Sequence, residues 1–179
     1  MRKIFISFSI FCYLFIVPIL SSVRAEYVLP YPSFMPGNKI YTIARIIDSI
    51  KRYWYFGNIS KVKYHLGLSD KYLVEAKTLF EYKQYLLGVD ALKRTTKQFQ
   101  TLPLYVKQAK LEHKDMNAFI LTISEAAVIH RSVLNEMKIS SPESFQWVPE
   151  KASSSDLLLH NELDNAIGTV QAVVNEIEQ

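Results

Sequence analysis

The side chains of this chain that could bind a metal ion or carry acid–base chemistry begin with four histidines. They are His65, His113, His130 and His160. Di-iron helical bundles place Glu-x-x-His motifs on inward faces, but valine, lysine, alanine and leucine stand three positions before these histidines. Neither a His-Glu-x-x-His nor a Gly-x-Ser-x-Gly motif occurs in the sequence. We therefore predict no catalytic residue, no cofactor and no metal centre.

Four residues nevertheless have the type and spacing of weak ligand candidates. His130 lies on the apolar stripe of its predicted helix, where it could be a buried ligand or a pH-sensitive group. A core histidine bonded to a neighbour is the simpler interpretation. Asp156, His160 and Asp164 follow at intervals of four residues and would share one face of the last predicted helix. One helix face supplies too few ligands for an oxygen–nitrogen metal site, so we expect a solvated face with i,i+4 pairs.

The first 25 residues have the order of a secretory signal peptide. Arg2 and Lys3 precede an uncharged run of 17 residues, 4–20, and short side chains stand at positions 23 and 25. We predict cleavage after Ala25 and an extracytoplasmic mature chain, which would be periplasmic, cell-surface or secreted. The alternative is an N-terminal membrane anchor, because a run of this length lies at the short limit of what spans a bilayer.

Cleavage would change the charge and the cysteine content of the chain. The full sequence has 179 residues, 49% of them hydrophobic, with 21 Lys and Arg against 17 Asp and Glu. The signal segment holds three of the basic residues and Cys12, so the mature chain would have 18 basic and 17 acidic residues and no thiol. Cysteine nucleophiles, thiolate–zinc sites and disulfides are thereby excluded from the mature chain. A secreted location also argues against nucleic acid as the partner.

Basic and acidic residues are unevenly distributed along the mature sequence. Residues 26–151 hold 18 Lys and Arg and 12 Asp and Glu, whereas residues 152–179 hold five acids and no base. We expect the acidic last helix to lie against basic helices. The alternative is peripheral contact of the basic body with an anionic membrane surface or polymer.

Residues 26–38 form a proline-rich arm ahead of the predicted helices. Three prolines within seven residues exclude a helix here and favour an extended backbone. The aromatic side chains of the arm could bind a partner or could pack back on the body of the protein. The interaction candidates in this arm are Tyr27, Pro30, Tyr31, Pro32 and Phe34.

Apolar residues recur at helical spacing through the rest of the chain and predict an all-α fold. Isoleucines predict a first helix over 39–55, with Asn38 as its N-cap, and Asp115 is the expected N-cap of the fourth helix. No run of residues alternates apolar and polar side chains in the manner of a strand. We predict a single domain over 39–179, an antiparallel bundle of four to five helices preceded by the extended arm.

Two interruptions and a corner complete this prediction. Pro103 should break or kink the third helix. Residues 138–154, rich in serine and proline, read as a loop pinned to the bundle by Phe145, Trp147 and Val148, and the last helix should begin near Ser155. The aromatic residues 53–56 are expected to pack into and plug the corner between the first two helices. If they were exposed, they would instead form a ligand or membrane-interface patch.

The arm and the second predicted helix resemble one known family. Residues 27–32 read Tyr-Val-Leu-Pro-Tyr-Pro, residues 35–37 read Met-Pro-Gly, and Phe-Gly-Asn at 56–58 precedes the second helix. They resemble a family of secreted bacterial helical domains of unknown function, in which Leu-Pro-Tyr-Pro-Gly follows a signal peptide. The match is best over 27–100 and departs at Ser33, where the family usually has glycine. The resemblance implies an extracytoplasmic helical domain and supplies no catalytic residues.

These features predict a non-enzymatic extracytoplasmic scaffold or interaction domain that binds another envelope or secreted macromolecule. The signal peptide, the helical bundle and the missing catalytic motifs motivate this prediction. The alternative is a bundle that binds a small ligand or a metal ion, through His130 or through the face of the last helix.

Overall fold

The computed structural model of the protein describes residues 27–150 and 153–179. The predicted signal peptide, residues 1–25, lies outside the described residues. The described part of the chain contains six helices and one two-stranded sheet. They are α1 Lys39–Lys51, α2 Asn58–Glu81, α3 Tyr85–Gln100, α4 Leu102–Leu111, α5 Asn117–Ser140, β1 Phe145–Trp147, β2 Ser155–Leu157 and α6 Leu159–Glu178.

Five of these helices, α2 to α6, pack on one another around one apolar core. The 24-residue helix α2 contacts α3, α4 and α5, and α6 contacts the same three helices from its own side. The largest fully buried apolar side chains come from all five of these helices: Leu73, Leu79, Leu92, Phe99, Leu102, Ile123, Leu134, Leu159, Leu163 and Ile177. The prediction of an all-α bundle is therefore confirmed.

Helices α2 and α3 form a tight hairpin joined by residues 82–84. Lys83 adopts a left-handed φ of 58°. Its N–H donates to Phe80 C=O at 2.9 Å, and the N–H of Gln84 donates to Leu79 C=O at 2.8 Å, which is the Schellman pattern of helix termination. On the α3 side, a Cβ added at Gly88 would lie 2.6 Å from the Phe80 ring. The two helices thus approach too closely at this point for any larger residue.

The predicted cap of α1 and the predicted break near Pro103 are confirmed, and α5 begins one residue later than an N-cap at Asp115 predicts. The Asn38 side chain accepts a hydrogen bond from the Ile40 N–H at 2.9 Å, which caps α1. Pro103 lies in the first turn of α4, directly after the break between α3 and α4. Backbone N–H groups in a first turn have no partner within the helix, so the proline costs α4 no hydrogen bond. The Asp115 carboxylate accepts from the Asn117 N–H at 2.9 Å, at the start of α5.

The prediction for the segment before the last helix is wrong in part. Residues 155–157 form β2, which pairs antiparallel with β1 and so delays the start of α6 to Leu159. Phe145 packs against Tyr85 with ring centroids 5.2 Å apart, as expected of a pinning residue. Val148, in contrast, is exposed. The short hairpin escapes prediction because three-residue strands show almost no periodicity.

The acidic last helix lies against basic residues of neighbouring helices, as its charge predicts. Lys93 of α3 is 2.9 Å from Glu162, and Lys138 of α5 is 2.7 Å from Asp164. These pairs are at least partly exposed, so each contributes about 1 kcal/mol or less to stability. Among the described residues, no helix combines the length and the apolar character needed to cross a membrane.

Candidate interaction site

Helix α1 turns its isoleucines away from the bundle. Ile40, Ile43, Ile46, Ile47 and Ile50, which we call the α1 apolar surface, are each between 46% and 56% exposed. The one buried residue of this helix is a carboxylate, Asp48. At 100° per residue, Asp48 and Tyr41 point roughly opposite to the isoleucines. The helix therefore rests on the bundle by a narrow polar face and presents its apolar face outward.

Polar contacts with α2 hold α1 in this orientation. The Tyr41 hydroxyl donates to Glu75 Oε1 at 2.6 Å, and Arg94 Nη2 donates to the same oxygen at 2.8 Å. Lys71 of α2 donates to the Asp48 carboxylate, and the Tyr64 hydroxyl donates to the Asp48 carbonyl at 2.8 Å. These bonds are directional, so they fix which face of α1 meets the bundle.

The arm is attached to α2 by a chain of three hydrogen-bonded polar residues, of which Asp70 and His130 are buried and Tyr27 is half-buried. The Tyr27 hydroxyl donates to Asp70 Oδ2 at 2.5 Å, and His130 Nε2 lies 2.7 Å from Asp70 Oδ1. His130 is fully buried on α5 and packs against the Phe99 ring. Its Nδ1 has no partner among the described residues. His130 is thus a core histidine bonded to a neighbour, which is the simpler of the two interpretations of its position.

Burial and the neighbouring carboxylates disfavour ionisation of the two anchoring tyrosines. Burial, followed by the charge of Asp70 and the hydrogen bond to it, raises the pKa of Tyr27 far above its usual range. Burial and the hydrogen bond to Glu75 raise the pKa of Tyr41 to about 12. Both hydroxyls therefore remain protonated donors to their carboxylates at physiological pH.

The corner after α1 is exposed, which makes the expectation that it is a plug wrong. Tyr53, Trp54 and Phe56 are 67%, 70% and 81% exposed. Tyr55 packs on Tyr64 with ring centroids 5.0 Å apart. We call residues 53–56 the aromatic corner. It follows the C-terminal end of α1, where Trp54 lies in the turn after Lys51 and adds an exposed aromatic ring next to the α1 apolar surface.

Four basic side chains lie on or just after α1. At 100° per residue, Lys39 and Lys51 border the isoleucines, whereas Arg45 and Arg52 lie on the side of Tyr41 and Asp48. Lys39, Arg45, Lys51 and Arg52 are all exposed, and Asp48, the sole acid between residues 39 and 56, is buried against α2. Lys51 lies 3.9 Å from Asp48, whereas Arg45 and Arg52 lie over tyrosine rings. The exposed surface of this segment is thus apolar and cationic.

The arm candidates have divided roles. Tyr27 is an anchor in the arm–bundle contact, while Pro30, Tyr31, Pro32 and Phe34 are exposed. Tyr31 is 96% exposed, so its aromatic ring has almost no contact with the body. The arm therefore packs on the bundle at its start, while its later aromatic side chains are exposed; binding of a partner by them stays a prediction.

The ligand candidates on the last helix do not share one face. Asp156 lies in β2, outside α6, because the helix begins later than predicted. His160 Nε2 is 3.2 Å from the Ser141 carbonyl oxygen, and Asp164 pairs with Lys138. Across residues 27–150 and 153–179, no three His, Cys, Asp or Glu side chains cluster in the manner of a metal site.

A cleft lies between α1, α2, α3 and α4. Its volume is about 390 Å³, and its lining includes Asp48 but is dominated by aromatic and basic side chains: Arg52, Tyr64, His65, Tyr72, Lys97 and Tyr105. His65 stacks on Tyr105 with ring centroids 5.1 Å apart, and its Nδ1 lies 2.7 Å from Gln98 Oε1. Burial lowers the pKa of His65, so this ring enters the cleft wall as a neutral group at physiological pH.

Sequence reasoning missed the three buried carboxylates that orient the arm and α1. Asp48, Asp70 and Glu75 are 7%, 6% and 3% exposed. A signal was present for Asp48, a lone acid in a segment of isoleucines. The partners of Asp70 and Glu75 are about 20 to 60 positions away in the sequence. Helical periodicity describes neighbours within one helix, so it does not reveal contacts at that separation.

Comparison with protein-family models, curated proteins and solved structures finds no match. The class of protein that the fold and site define is therefore an all-α bundle carrying an outward-facing apolar helix. The resemblance of the arm and α2 to secreted bacterial helical domains stays a prediction.

Proposed function

We propose that this protein is a non-enzymatic extracytoplasmic interaction domain that docks onto another component of the cell envelope through the α1 apolar surface. One observation carries the proposal: a helix with five isoleucines on one face is held by polar contacts with that face outward. Soluble proteins seldom leave contiguous apolar patches uncovered without a binding role.

Burying the isoleucines of the α1 apolar surface against a partner would contribute favourable free energy to docking. Fully burying an isoleucine side chain is worth about 1.5–3 kcal/mol, so covering each half-exposed isoleucine would contribute roughly 1 kcal/mol. The polar contacts of α1 keep the isoleucines out of the core, so their apolar area can still be buried by a partner. The hydrogen bonds of Tyr41 and Asp48 to α2 thus hold the docking surface in its outward orientation.

Site-specific photo-crosslinking tests the proposal. A benzoylphenylalanine at Ile47 of the full chain, expressed in its host, should give a discrete adduct that mass spectrometry identifies as another protein or a lipid. The matched control is the same label at Ile139, an exposed isoleucine of α5. Equal adducts at both positions, or none at Ile47, would contradict the proposal.

A second candidate function is favoured by the cleft between α1, α2, α3 and α4. Its volume suits a small ligand. Its wall of tyrosines, with Arg52 and Lys97 outnumbering Asp48, suits an anionic aromatic or sugar-like molecule. A thermal-shift screen of such compounds should find stabilisation that Lys97→Gln reduces and Lys107→Gln, on α4 outside the cleft, does not. A screen without any stabilising compound would reject this alternative.

A further inference from the structure

We infer that the occupant of the α1 apolar surface is the surface of an anionic lipid bilayer. This inference rests on the proposed function and names its partner. It requires that α1 lie in the bilayer interface with its isoleucines toward the acyl chains and its polar face on the protein.

The charge distribution favours an anionic partner. Lys39, Arg45, Lys51 and Arg52 are exposed along and just after the helix. The one acid of the segment, Asp48, faces α2 and is bonded to Lys71. Lys39 and Lys51 border the apolar face, and basic residues in that position contact lipid phosphates when a helix lies in the membrane interface.

The aromatic corner favours a bilayer over a flat protein surface. Trp and Tyr side chains accumulate at the membrane interface, where an apolar ring and a polar tip both find suitable surroundings. Tyr53, Trp54 and Phe56 are exposed at one end of the helix, and Tyr31 and Phe34 are exposed in the arm that leads into the other end. Aromatic side chains therefore precede and follow the isoleucine face, as expected of a helix lying in the plane of the interface.

The same charges argue against two other occupants. A second copy of the chain docked through α1 would bring Lys39 and Lys51 of one copy against the same lysines of the other, with each Asp48 already buried on its own bundle. The segment 1–25 brings Arg2, Lys3 and Arg24 and no acid, so it offers this surface no charge complementarity either.

Vesicle co-sedimentation of residues 26–179, the predicted mature chain, tests the inference. The protein should pellet with phosphatidylcholine vesicles that contain phosphatidylglycerol, and much less with phosphatidylcholine alone. Binding should weaken as salt rises, because the Debye length falls from about 10 Å at 0.1 M to about 3 Å at 1 M. Ile43→Glu combined with Ile47→Glu should weaken binding about tenfold or more, since both charges would enter the apolar layer.

A matched variant separates the α1 surface from general apolar exposure. Leu111→Glu combined with Ile139→Glu changes two side chains that are at least as exposed, on α4 and α5, and should bind like the wild type. Circular dichroism of each variant, with unchanged helicity and melting temperature, shows that the bundle is intact.

The outcomes distinguish this inference from the proposed function. Wild-type protein that fails to pellet with the anionic vesicles overturns the bilayer as partner. If that protein is instead dimeric in light scattering and Ile43→Glu with Ile47→Glu makes it monomeric, the occupant is a second copy and the docking role of α1 stands. If the crosslinking at Ile47 also gives no adduct, the proposed function fails as well.

Discussion

At the scale of single residues, the attachment of the arm and of α1 depends on three carboxylates that are almost completely buried. Asp70, Glu75 and Asp48 each receive hydrogen bonds from residues on other segments. A buried carboxylate is costly without partners, so removing a partner should cost more than a surface contact would.

His130 offers the clearest test at this scale. His130→Asn would remove the ring that lies 2.7 Å from Asp70 and leave a void beside Phe99. We expect a loss of about 3 kcal/mol in the free energy of unfolding, measured by urea denaturation. The same change at the exposed His113 should cost less than about 0.5 kcal/mol. Equal losses in the two variants would show that the buried pair contributes nothing.

Tyr41 links stability to alkaline pH. Burial and the hydrogen bond to Glu75 raise its pKa to about 12 in the folded protein, above the 10.0 of a free tyrosine. A raised pKa means that the contribution of Tyr41 is fully present below pH 10 and is lost as pH rises towards 12. Tyr41→Phe should therefore lower stability at pH 8 by about 1 kcal/mol, and the difference should shrink at higher pH.

Urea titrations at several pH values measure this effect. Tyr82→Phe, at an exposed tyrosine, is the control and should change stability little at any pH. A difference between wild type and Tyr41→Phe that grows with rising pH would have the wrong sign for this account.

At the scale of elements, α1 differs from the other helices because its apolar face lies outside the core. Isoleucine spacing predicts the helix itself and its cap at Asn38, but a stripe that docks and a stripe that is buried have the same 3.6-residue period. The buried Asp48 is the one residue within α1 that reveals the orientation. The sequence therefore predicts that α1 is a helix, but it does not predict that the isoleucine face of α1 is exposed.

The weak attachment of α1 should be visible in hydrogen exchange. Its amides, residues 43–51, should exchange at a lower free energy than those of the α2 core, because α1 buries little apolar area. Asp48→Asn should accelerate exchange in α1 and leave α5 unchanged. The control, Asp164→Asn, alters an exposed carboxylate of α6 that pairs with Lys138 and should not affect α1. Protection of α1 equal to that of α2 would contradict the orientation described here.

The close approach of α2 and α3 gives a paired glycine prediction. Gly88→Ala would place a methyl group against the Phe80 ring and should cost about 1–3 kcal/mol by overpacking. Gly168→Ala, in the exposed interior of α6 with open space around it, should stabilise the protein by about 0.5–1 kcal/mol. Thermal melting of both variants checks the signs, and a stabilised Gly88→Ala would refute the close contact.

At the scale of the whole molecule, the charge asymmetry has two outcomes. The acidic α6 pairs with Lys93 and Lys138 within the bundle, as the sequence indicates. The basic residues around α1 outnumber their one local acid, Asp48, which lies 3.9 Å from Lys51 and also binds Lys71. Composition alone predicts the first outcome. The second depends on which face of α1 meets α2, and this follows from tertiary hydrogen bonds that no local pattern encodes.

Fluorescence of Trp54 is the most direct test of the claim that α1 and its corner form an open docking surface. In the Trp147→Phe variant, Trp54 is the remaining tryptophan of the chain. In the free domain, Trp54 should emit like a solvated indole and should be readily quenched by iodide. Emission should shift to the blue, with loss of quenching, on addition of phosphatidylglycerol-containing vesicles. A Trp54 that is blue-shifted and protected in the free domain, and unchanged by vesicles, would contradict it.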